Sequence, residues 1–600
     1  MIIKSLYDYY NILMDDPDFD IPLSGFSIAK INFVAKISLD GELLDIVELG
    51  EGKKRFVEVK VPEQKKRSSG IFPYFLSDNF KYVFGWDFDP KKSGATEKNF
   101  EAFKELNLKI LKNIDTLKSN AMKNYLNNWN CVETLEHPEI KKQLEVLTKI
   151  KSGNVLFRLD GEKGYINDDP EIQKAWGDYF EESQEGVKKA QCLVSGKESA
   201  IEKIHPNIKG VRDANSTGAA LVGFNADSFV SYNKTQGDNA PVSKEVAFAY
   251  TTVLNYMLNT NSDYQRVQIG DATTVFWAED TSGECENLFG ELIDDYQEDT
   301  EVSKKNDEKK RLHDSKNTKY VKQALEELRA GKEVVEKKDI NFYILGLSPN
   351  NARLSVRYWQ KDTFGNTVDH IWKHYKDCEI VKSENENKLP TIRRLLFETI
   401  PENATVKRSA PALSTGIMKS VFQGSPYPYA LYTSILGRIR VDGKINPIRC
   451  GFIKGYLIRD ARKNNNTERE AMITMALNEE NPNVAYRLGR LFAVLEKTQG
   501  DANEGINKTI KDRYFGTAST SPRFVFPVLI KLSQHHLSKI DNQAWKISTE
   551  KRIQGILETV PEFPSYLNSE EQGMFILGYY HQRMDLYTKK ESEKDISEAD

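Results

Sequence analysis

Cysteine is scarce in this sequence, and its cysteines are never clustered. Cys131, Cys192, Cys285, Cys378 and Cys450 lie far apart, and no Cys-x-x-Cys pair occurs. An odd number of scattered cysteines disfavours a disulfide framework, and a cysteine zinc site requires closer spacing. We therefore expect a chain that works in a reducing cytoplasm, with neither disulfides nor a metal or other cofactor.

Long apolar runs are also missing. No run approaches the roughly 18 apolar residues of a membrane span. The first ten residues have neither the basic start nor the long apolar core of a secretory signal. With 600 residues, 39 % of them hydrophobic and 29 % charged, the composition is typical of a globular protein of several domains. These features predict a cytoplasmic protein without a membrane partner.

The sequence contains none of the common catalytic signatures, such as a phosphate-binding loop or a nucleophile elbow. Asp87 and Asp89 could hold Mg²⁺ beside phosphates, although turn capping is the commoner role of such a pair. His370 and His374 lie one helical turn apart, without an obvious third ligand. We therefore predict a protein that is not an enzyme. A metal-dependent nuclease built on Asp87, Asp89 and His313 is the alternative.

Charge is unevenly distributed along the chain, although the net charge is only −4. Residues 51–67 contain seven basic and three acidic side chains, whereas residues 284–301 contain eight acidic ones and no Lys or Arg. A weakly acidic protein can still attract phosphate through a local basic surface. The segregation therefore predicts at least one strongly basic face.

Residues 61–86 combine a basic loop with aromatic side chains and Asn79. Lysine and arginine attract phosphate, and aromatic rings stack on bases or wedge between them. An asparagine amide can contact the minor-groove acceptors of A·T pairs. The alternative is a solvated loop followed by core residues, in which Tyr74, Phe75 and Val83 are buried.

A second polar stretch covers residues 223–243. Its amide and hydroxyl side chains surround Gly237, and such side chains suit contacts to a nucleic-acid backbone or groove. On composition alone, a turn-rich connector that ends at the helix cap Ser243 is the plainer interpretation.

Periodicity predicts an α+β fold, with a mixed α/β N-terminal body followed by an all-helical C-terminal bundle. Strand patterns cover 31–37, 43–49, 56–61, 155–159, 267–276, 342–347 and 353–358, and helical patterns cover 99–150, 243–258 and most of the chain after 409. The predicted divisions are an α+β region with basic loops at 1–281, a charged linker or insertion at 282–319, a mixed strand and helical region at 320–465, and a helical bundle at 466–600.

Eight colinear motifs spread over nearly the whole chain are similar to those of one known family. They are Leu6-Tyr-Asp-Tyr-Tyr10, Ile204-His-Pro-Asn-Ile-Lys-Gly-Val211, Gln236-Gly-Asp-Asn-Ala-Pro-Val-Ser243, Asp271-Ala-Thr-Thr-Val-Phe-Trp-Ala-Glu279, Leu347-Ser-Pro-Asn-Asn-Ala-Arg-Leu-Ser-Val-Arg-Tyr-Trp359, Tyr486-Arg-Leu-Gly-Arg-Leu-Phe-Ala-Val-Leu-Glu496, Ile510-Lys-Asp-Arg-Tyr514 and Gly578-Tyr-Tyr-His-Gln-Arg583. On these motifs the chain resembles the large subunit of the type I-C (Dvulg subtype) CRISPR surveillance complex, Cascade.

The resemblance implies a non-catalytic subunit of a ribonucleoprotein that carries a CRISPR RNA together with backbone and RNA-processing subunits. Base pairing with the RNA reads the target, and the large subunit is expected to recognise the protospacer-adjacent motif (PAM) on double-stranded DNA. It is further expected to promote R-loop formation and to support recruitment of a separate helicase–nuclease. Small subunits made from an internal start at Met472 or Met475 are a further implication.

The resemblance also assigns residues. Asn79 is expected to read the motif, and Lys65, Lys66, Arg67 and Lys81 are expected to hold nearby phosphates. Lys234, Gln236 and Asn239 are secondary candidates in the second loop. Contacts with the displaced strand are expected from Arg487, Arg490, Lys508, Lys511 and Arg513. A purely structural assembly subunit is the remaining alternative.

Overall fold

The computed structural model describes residues 2–16, 19, 21–22, 25–50, 55–64, 67, 70–182, 189–259, 265–293, 337–383, 389–404, 410–503 and 505–597. The chain forms two compact units. One comprises Met1–Asn207 and Val222–Tyr256, and the other comprises Ile208–Leu221 and Met257–Asp600. The sequence-based boundaries at 281, 319 and 465 stay predictions.

The α+β fold is confirmed. The helices of the described residues are α1 Ile2–Met14, α2 Phe80–Val83, α3 Glu97–Leu111, α4 Leu117–Asn128, α5 Pro138–Ile150, α6 Pro170–Glu182, α7 Lys244–Leu258, α8 Glu284–Ile293, α9 Phe364–Cys378, α10 Ile392–Phe397, α11 Pro411–Phe422, α12 Tyr429–Asp442, α13 Pro447–Lys463, α14 Thr467–Met472, α15 Val484–Ala502, α16 Ile510–Ala518, α17 Pro522–Leu537, α18 Gln543–Glu558 and α19 Ser569–Ser597. The strands are β1 Phe26–Ile31, β2 Phe33–Ile37, β3 Leu43–Glu48, β4 Val57–Pro62, β5 Asp78–Asn79, β6 Trp86–Asp87, β7 Gly94–Ala95, β8 Asn154–Leu159, β9 Lys189–Gln191, β10 Glu198–Ala200, β11 Arg266–Ile269, β12 Ala272–Ala278, β13 Asn341–Asn350 and β14 Arg353–Thr363.

The first unit is built on a mixed sheet with the strand order β3-β2-β8-β5. The predicted turn after Ile37 joins β2 to its antiparallel partner β3, and β8 runs parallel to β2 on the other side. β5 is a two-residue edge strand, antiparallel to β8. Alternate sheet residues such as Phe33 and Phe157 enter a core with helical residues such as Tyr125. The sheet therefore holds β5, and the polar residues at its end, on a buried support.

The second unit begins with an antiparallel sheet in the order β11-β12-β13-β14. The single strand predicted at 267–276 is wrong. Two strands lie there, and Ile269 pairs with Ala272 across a turn in which Gly270 has a φ of 61°. Residues 284–293, the start of the predicted linker, form the helix α8 with Phe289 in the core. The rest of that segment, 294–319, lies outside the described residues.

The predicted C-terminal helical bundle is present, and two of its helices touch backbone to backbone. A Cβ atom added to Gly489 of α15 would overlap the carbonyl oxygen of Phe575 in α19. A Cβ atom at Gly578 of α19 would likewise overlap the carbonyl oxygen of Tyr486. Glycine at both positions therefore allows a closer approach than any larger residue would.

All five cysteines are free and buried, as the sequence predicted for a chain without disulfides. Among the described residues, no group of three or more His, Cys, Asp or Glu side chains is placed to hold a metal ion. No helix within the described part of the chain is both long and apolar enough to cross a membrane.

His374 is a buried structural residue of the second unit. Its Nε2 lies 2.8 Å from the carbonyl oxygen of Pro390, and its Nδ1 lies 2.7 Å from the hydroxyl oxygen of Tyr427. Because a carbonyl oxygen only accepts, Nε2 carries the hydrogen and Nδ1 accepts from the tyrosine. Burial, with a contribution from Arg459, lowers the pKa of His374 to about 4.

This histidine makes the second unit sensitive to acid. The unfolded chain binds a proton below a pKa of 6.5, whereas the folded chain does so only below about 4, so stability falls as pH decreases through that window. At pH 5 the loss is about 2 kcal/mol relative to neutral pH. We expect His374→Gln to reduce the change in urea-unfolding free energy between pH 7.5 and pH 5 by about 2 kcal/mol. The buried His581 and His205, whose pKa values burial lowers to about 3 and about 4, keep their own contributions to that change. His535→Gln, at an exposed position of α17, is the control and should leave the dependence unchanged.

Candidate nucleic-acid interface

The candidate interface is organised around the buried carboxylate of Asp78 in β5, whose side chain is 0 % exposed. Its Oδ2 accepts hydrogen bonds from the Arg67 guanidinium and, at 2.8 Å, from the backbone N–H of Tyr74. Its Oδ1 accepts from the N–H of Asn79 at 2.7 Å. Burial raises the pKa of Asp78, and the hydrogen bond and charge of Arg67 oppose that rise. The carboxylate thereby connects Tyr74, in the loop before β5, to Asn79, the second residue of β5.

Arg67 is held on both faces and at both ends of its guanidinium group. The group lies between the rings of Tyr74 and Tyr82, 3.8 Å and 4.1 Å from their centroids. Its Nε donates to the carbonyl oxygen of Phe72 at 2.6 Å, while Nη2 pairs with Asp78. Arginine suits such a position because its planar fork can stack and donate at once. Arg67 therefore acts as a positioning residue for the loop.

The loop supported by Arg67 presents an aromatic side chain to solvent. Phe72 is 59 % exposed, and its backbone N–H donates to the Tyr82 hydroxyl at 3.2 Å. By contrast, Phe75 and Val83 are buried, and Phe75 stacks on Trp176 with 5.3 Å between ring centroids. The interpretation of this stretch as core is thus confirmed for Phe75 and Val83, but Tyr74 is only half-buried and Phe72 lies at the surface.

Asn79 caps the short helix α2. Its Oδ1 accepts from the backbone N–H of Lys81 at 3.1 Å, and its side chain is only half-buried. Within the described residues its Nδ2 donates to no protein group. The amide is therefore fixed by its oxygen and leaves two N–H donors for an external acceptor.

Lys81 and the aspartates that follow it form a local electrostatic cluster. Lys81 Nζ lies 2.6 Å from Asp87 Oδ2, and 37 % of the lysine side chain remains exposed. Asp87 Oδ1 accepts from the N–H of Asp89 at 3.1 Å, and Asp89 Oδ1 accepts from the N–H of Lys91 at 3.3 Å. Asp87 and Asp89 therefore cap turns, which is the commoner role of such a pair. Lys65, Lys66 and His313 lie outside the described residues.

The second predicted loop carries a minimal hairpin in which Ser231 and Lys234 form an antiparallel bridge. The side chain of Asn239 stabilises this hairpin through three hydrogen bonds. Its Nδ2 donates to the carbonyl oxygens of Lys234 and Gln236, at 2.9 Å and 3.0 Å, and its Oδ1 accepts from the N–H of Ser231 at 3.3 Å. The amide of Asn239 is thus used inside the loop, while the side chains of Lys234 and Gln236 are exposed.

The basic residues predicted to contact the displaced strand fall into two groups. Arg490 is 6 % exposed, with Nε 3.0 Å from Gln582 Oε1. Arg487 is half-buried and donates to the carbonyl oxygens of Asn481 and Thr559, at 2.7 Å and 2.6 Å. In contrast, Lys508, Lys511 and Arg513 lie together around the start of α16, where Lys508 and Arg513 are exposed and Lys511 is half-buried.

Two exposed aromatics, Phe72 and Tyr232, lie in the stretches that the sequence marked as candidate loops, but the sequence reasoning assigned neither of them a role. Aromatic residues are usually predicted to lie in the core, and the sequence alone does not show how far a side chain is exposed. The available signals were the turn-forming residues beside them, Gly70 before Phe72 and Asn233 after Tyr232.

Comparison with known proteins identifies the family. The family model described as CRISPR-associated protein (Cas_Csd1) matches residues 6–587, almost the entire chain. The chain therefore belongs to this family of CRISPR-associated proteins. No curated protein matched it.

The clasp formed by Arg67 and Asp78 yields a stability prediction. Removing one partner of a buried ion pair leaves the other charge uncompensated, so Arg67→Ala should destabilise the first unit by about 3–5 kcal/mol. Hydrogen exchange at the Tyr74 and Asn79 amides should accelerate, because both donate to the carboxylate that loses its partner. The double variant Arg67→Met, Asp78→Asn should recover part of the loss.

Lys149→Ala is the matched control, since it removes one positive charge from the exposed face of α5. Equal stability and equal amide protection in Arg67→Ala and Lys149→Ala would refute the supporting role of the clasp.

Proposed function

We propose that this CRISPR-associated protein is the non-catalytic large subunit of a type I-C Cascade, in which it recognises the PAM on target duplex DNA. The observation that carries the proposal is the half-exposed amide of Asn79, whose backbone N–H donates to the buried Asp78 carboxylate and whose oxygen accepts from the N–H of Lys81, after a loop that exposes Phe72. In such a site the amide can contact a base edge in a groove and the lysine can contact a phosphate. The aromatic ring can insert between bases, and none of these contacts requires a catalytic group.

The hydrogen bonding of Asn79 suggests which base pairs it favours. Its Oδ1 is occupied by the N–H of Lys81, so the outward group is the Nδ2 donor. In the minor groove, A·T pairs present only acceptors, whereas G·C pairs add the donor N2 of guanine. We therefore propose that Asn79 favours an A·T or T·A pair at the position it reads.

The surrounding residues divide into contacts and supports. Lys65, Lys66, Lys81, Lys234 and Gln236 are proposed to contact the phosphate backbone, where lysine supplies charge without sequence preference. Arg67 and Asn239 are proposed to act indirectly, because their side chains hold the two loops in place. The acidic residues elsewhere in the chain account for its weakly negative net charge.

In the helical bundle, the exposed group of Lys508, Lys511 and Arg513 is proposed to hold the displaced DNA strand. Arg487 and Arg490 are then supports of the bundle rather than contacts. Opening the R-loop and holding it open would support recruitment of a helicase–nuclease. The partners proposed are the CRISPR RNA with its backbone and RNA-processing subunits.

Separate production of small subunits from Met472 or Met475 also remains part of the proposal. The backbone-to-backbone packing of α15 against α19 lies wholly after both methionines, so a product that starts there retains it.

Motif reading is tested by variants that separate the two roles of Asn79. Asn79→Ser and Asn79→Asp keep an oxygen that caps α2 but remove the amide donor. Because one good base contact contributes about 1–3 kcal/mol of discrimination, the preference for a motif duplex over a scrambled duplex should fall about 5- to 150-fold. The measurement is a DNA shift assay with the assembled RNA-guided complex at fixed salt.

Unchanged discrimination in both variants would exclude Asn79 as the reading residue. Cleavage of DNA by the purified chain with Mg²⁺ would contradict the non-catalytic assignment.

The displaced-strand proposal predicts a change in salt dependence. Replacing Lys508, Lys511 and Arg513 with Ala removes up to three phosphate contacts to single-stranded DNA. The slope of log Kobs against log salt for binding a pre-opened target should then become shallower by about 2. A control with exposed Lys531, Lys539 and Lys551 changed to Ala removes the same charge from α17, its C-terminal end and α18. Equal slopes for the two triple variants would contradict the proposed path of the strand.

A further inference from the structure

The hairpin of residues 231–234 has an unusual tip. Tyr232 and Asn233 both have left-handed backbones, with φ of 50° and 55°, between the bridged residues Ser231 and Lys234. This is the geometry of a two-residue turn that normally prefers Asn and Gly at its centre. A bulky tyrosine in this conformation is strained, whereas Asn233 is well suited to it.

Nothing in the described part of the chain compensates for that strain by packing on the ring. Tyr232 is 94 % exposed, and no ring contact is made to it by the described residues. Because Tyr232 gains no burial at this position, tyrosine does not stabilise the fold relative to asparagine there. The side chain is therefore accessible for a contact outside the folded unit.

The base of the hairpin is rigid. Asn239 makes its three hydrogen bonds to the backbone of Ser231, Lys234 and Gln236, and the N–H of Gly237 donates to the carbonyl oxygen of Lys203 at 3.0 Å. A Cβ atom at Gly237 would overlap the carbonyl oxygen of Glu202, so the backbones are in direct contact. A strained tip persists where its surroundings fix it in this way.

We propose that Tyr232 is a stacking platform for an unpaired nucleotide of the target DNA, with Lys234 beside it on the adjoining phosphate. A rigid exposed ring next to a lysine matches the recognition of single-stranded nucleic acid, in which aromatic rings stack on bases and basic residues follow the backbone. The ligand is an unpaired nucleotide because both faces of a base inside a duplex are already covered. The proposal rests on the proposed function, since it places the ring where that DNA opens.

A protein partner fits the surroundings less well. The core of a protein interface is depleted of charged residues and gathers apolar ones. Among the exposed residues around Tyr232, Val230 is apolar, whereas Ser231, Asn233, Lys234, Thr235 and Gln236 are polar or charged.

The test uses the assembled complex and a target carrying an unpaired bubble of several nucleotides after the motif, with 2-aminopurine at successive bubble positions. Tyr232→Asn places a favoured residue in the same turn, so it removes the ring without disturbing the fold. Stacking should quench the probe at one position in the native chain and in Tyr232→Phe, but not in Tyr232→Asn. Binding of the bubble should weaken about 5- to 150-fold in Tyr232→Asn, while preference for the motif in fully paired DNA stays unchanged.

The possible outcomes distinguish a failure of the stacking role of Tyr232 from a failure of the proposed function. If Tyr232→Asn quenches and binds like the native chain while the native complex still discriminates the motif, the stacking role is wrong and the proposed function stands. If Tyr232→Phe fails as Tyr232→Asn does, or if Tyr232→Asn no longer assembles into the complex, the residue makes a polar or protein contact and the stacking role is again wrong. If the native complex does not discriminate the motif, the proposed function itself fails.

Discussion

The burial of the Asp78 carboxylate is the constraint on which the candidate interface depends. A buried charge is tolerated only when it is paired and hydrogen-bonded, and Asp78 meets both conditions through Arg67 and two backbone N–H groups. Those same bonds connect the loop that ends in β5 to the helix that begins at Phe80. The hydrogen bonds of the Asp78 carboxylate thus position both Asn79 and the loop that exposes Phe72. Tyr74 and Tyr82, which enclose the Arg67 guanidinium, complete the support.

Basic residues in this protein serve two different purposes, and counting them along the chain does not separate the two. Arg67 and Arg490 are turned inward, and Arg449 is paired with Glu398 and Asp442 in the same manner. Lys508 and Arg513 have exposed side chains instead. Arginine suits the inward role because its fork can satisfy several acceptors at once. The proposed contacts with nucleic acid therefore require the exposed basic side chains, such as Lys508 and Arg513, and not those that are turned inward.

Patterns of period two or 3.6 are set by burial on one face, so they made the main elements predictable. β2, with Phe33, Ala35 and Ile37 in one core, and the stripe of α15 follow such patterns. The turn at Gly270 was missed because strand-forming residues on both sides of it, such as Ile269 and Val275, together favour one continuous strand. Arg490 was expected at the surface because the stripe of α15 marks one buried face, yet α19 covers a second face through Gly489 and Gly578. The clasp of Arg67 with Asp78 was beyond prediction, because the two residues are eleven positions apart and the basic neighbours Lys65 and Lys66 obscured the one that turns inward.

The most direct test compares the RNA-guided complex reconstituted with and without this chain, on target duplexes that carry either the motif or a scrambled sequence. Recognition of double-stranded DNA by this subunit predicts that binding requires the chain and favours the motif duplex, since base pairing with the guide cannot begin until the duplex opens. Equal binding and equal discrimination by the complex that lacks the chain would contradict a role for it in DNA recognition and would leave it as a structural subunit of the assembly.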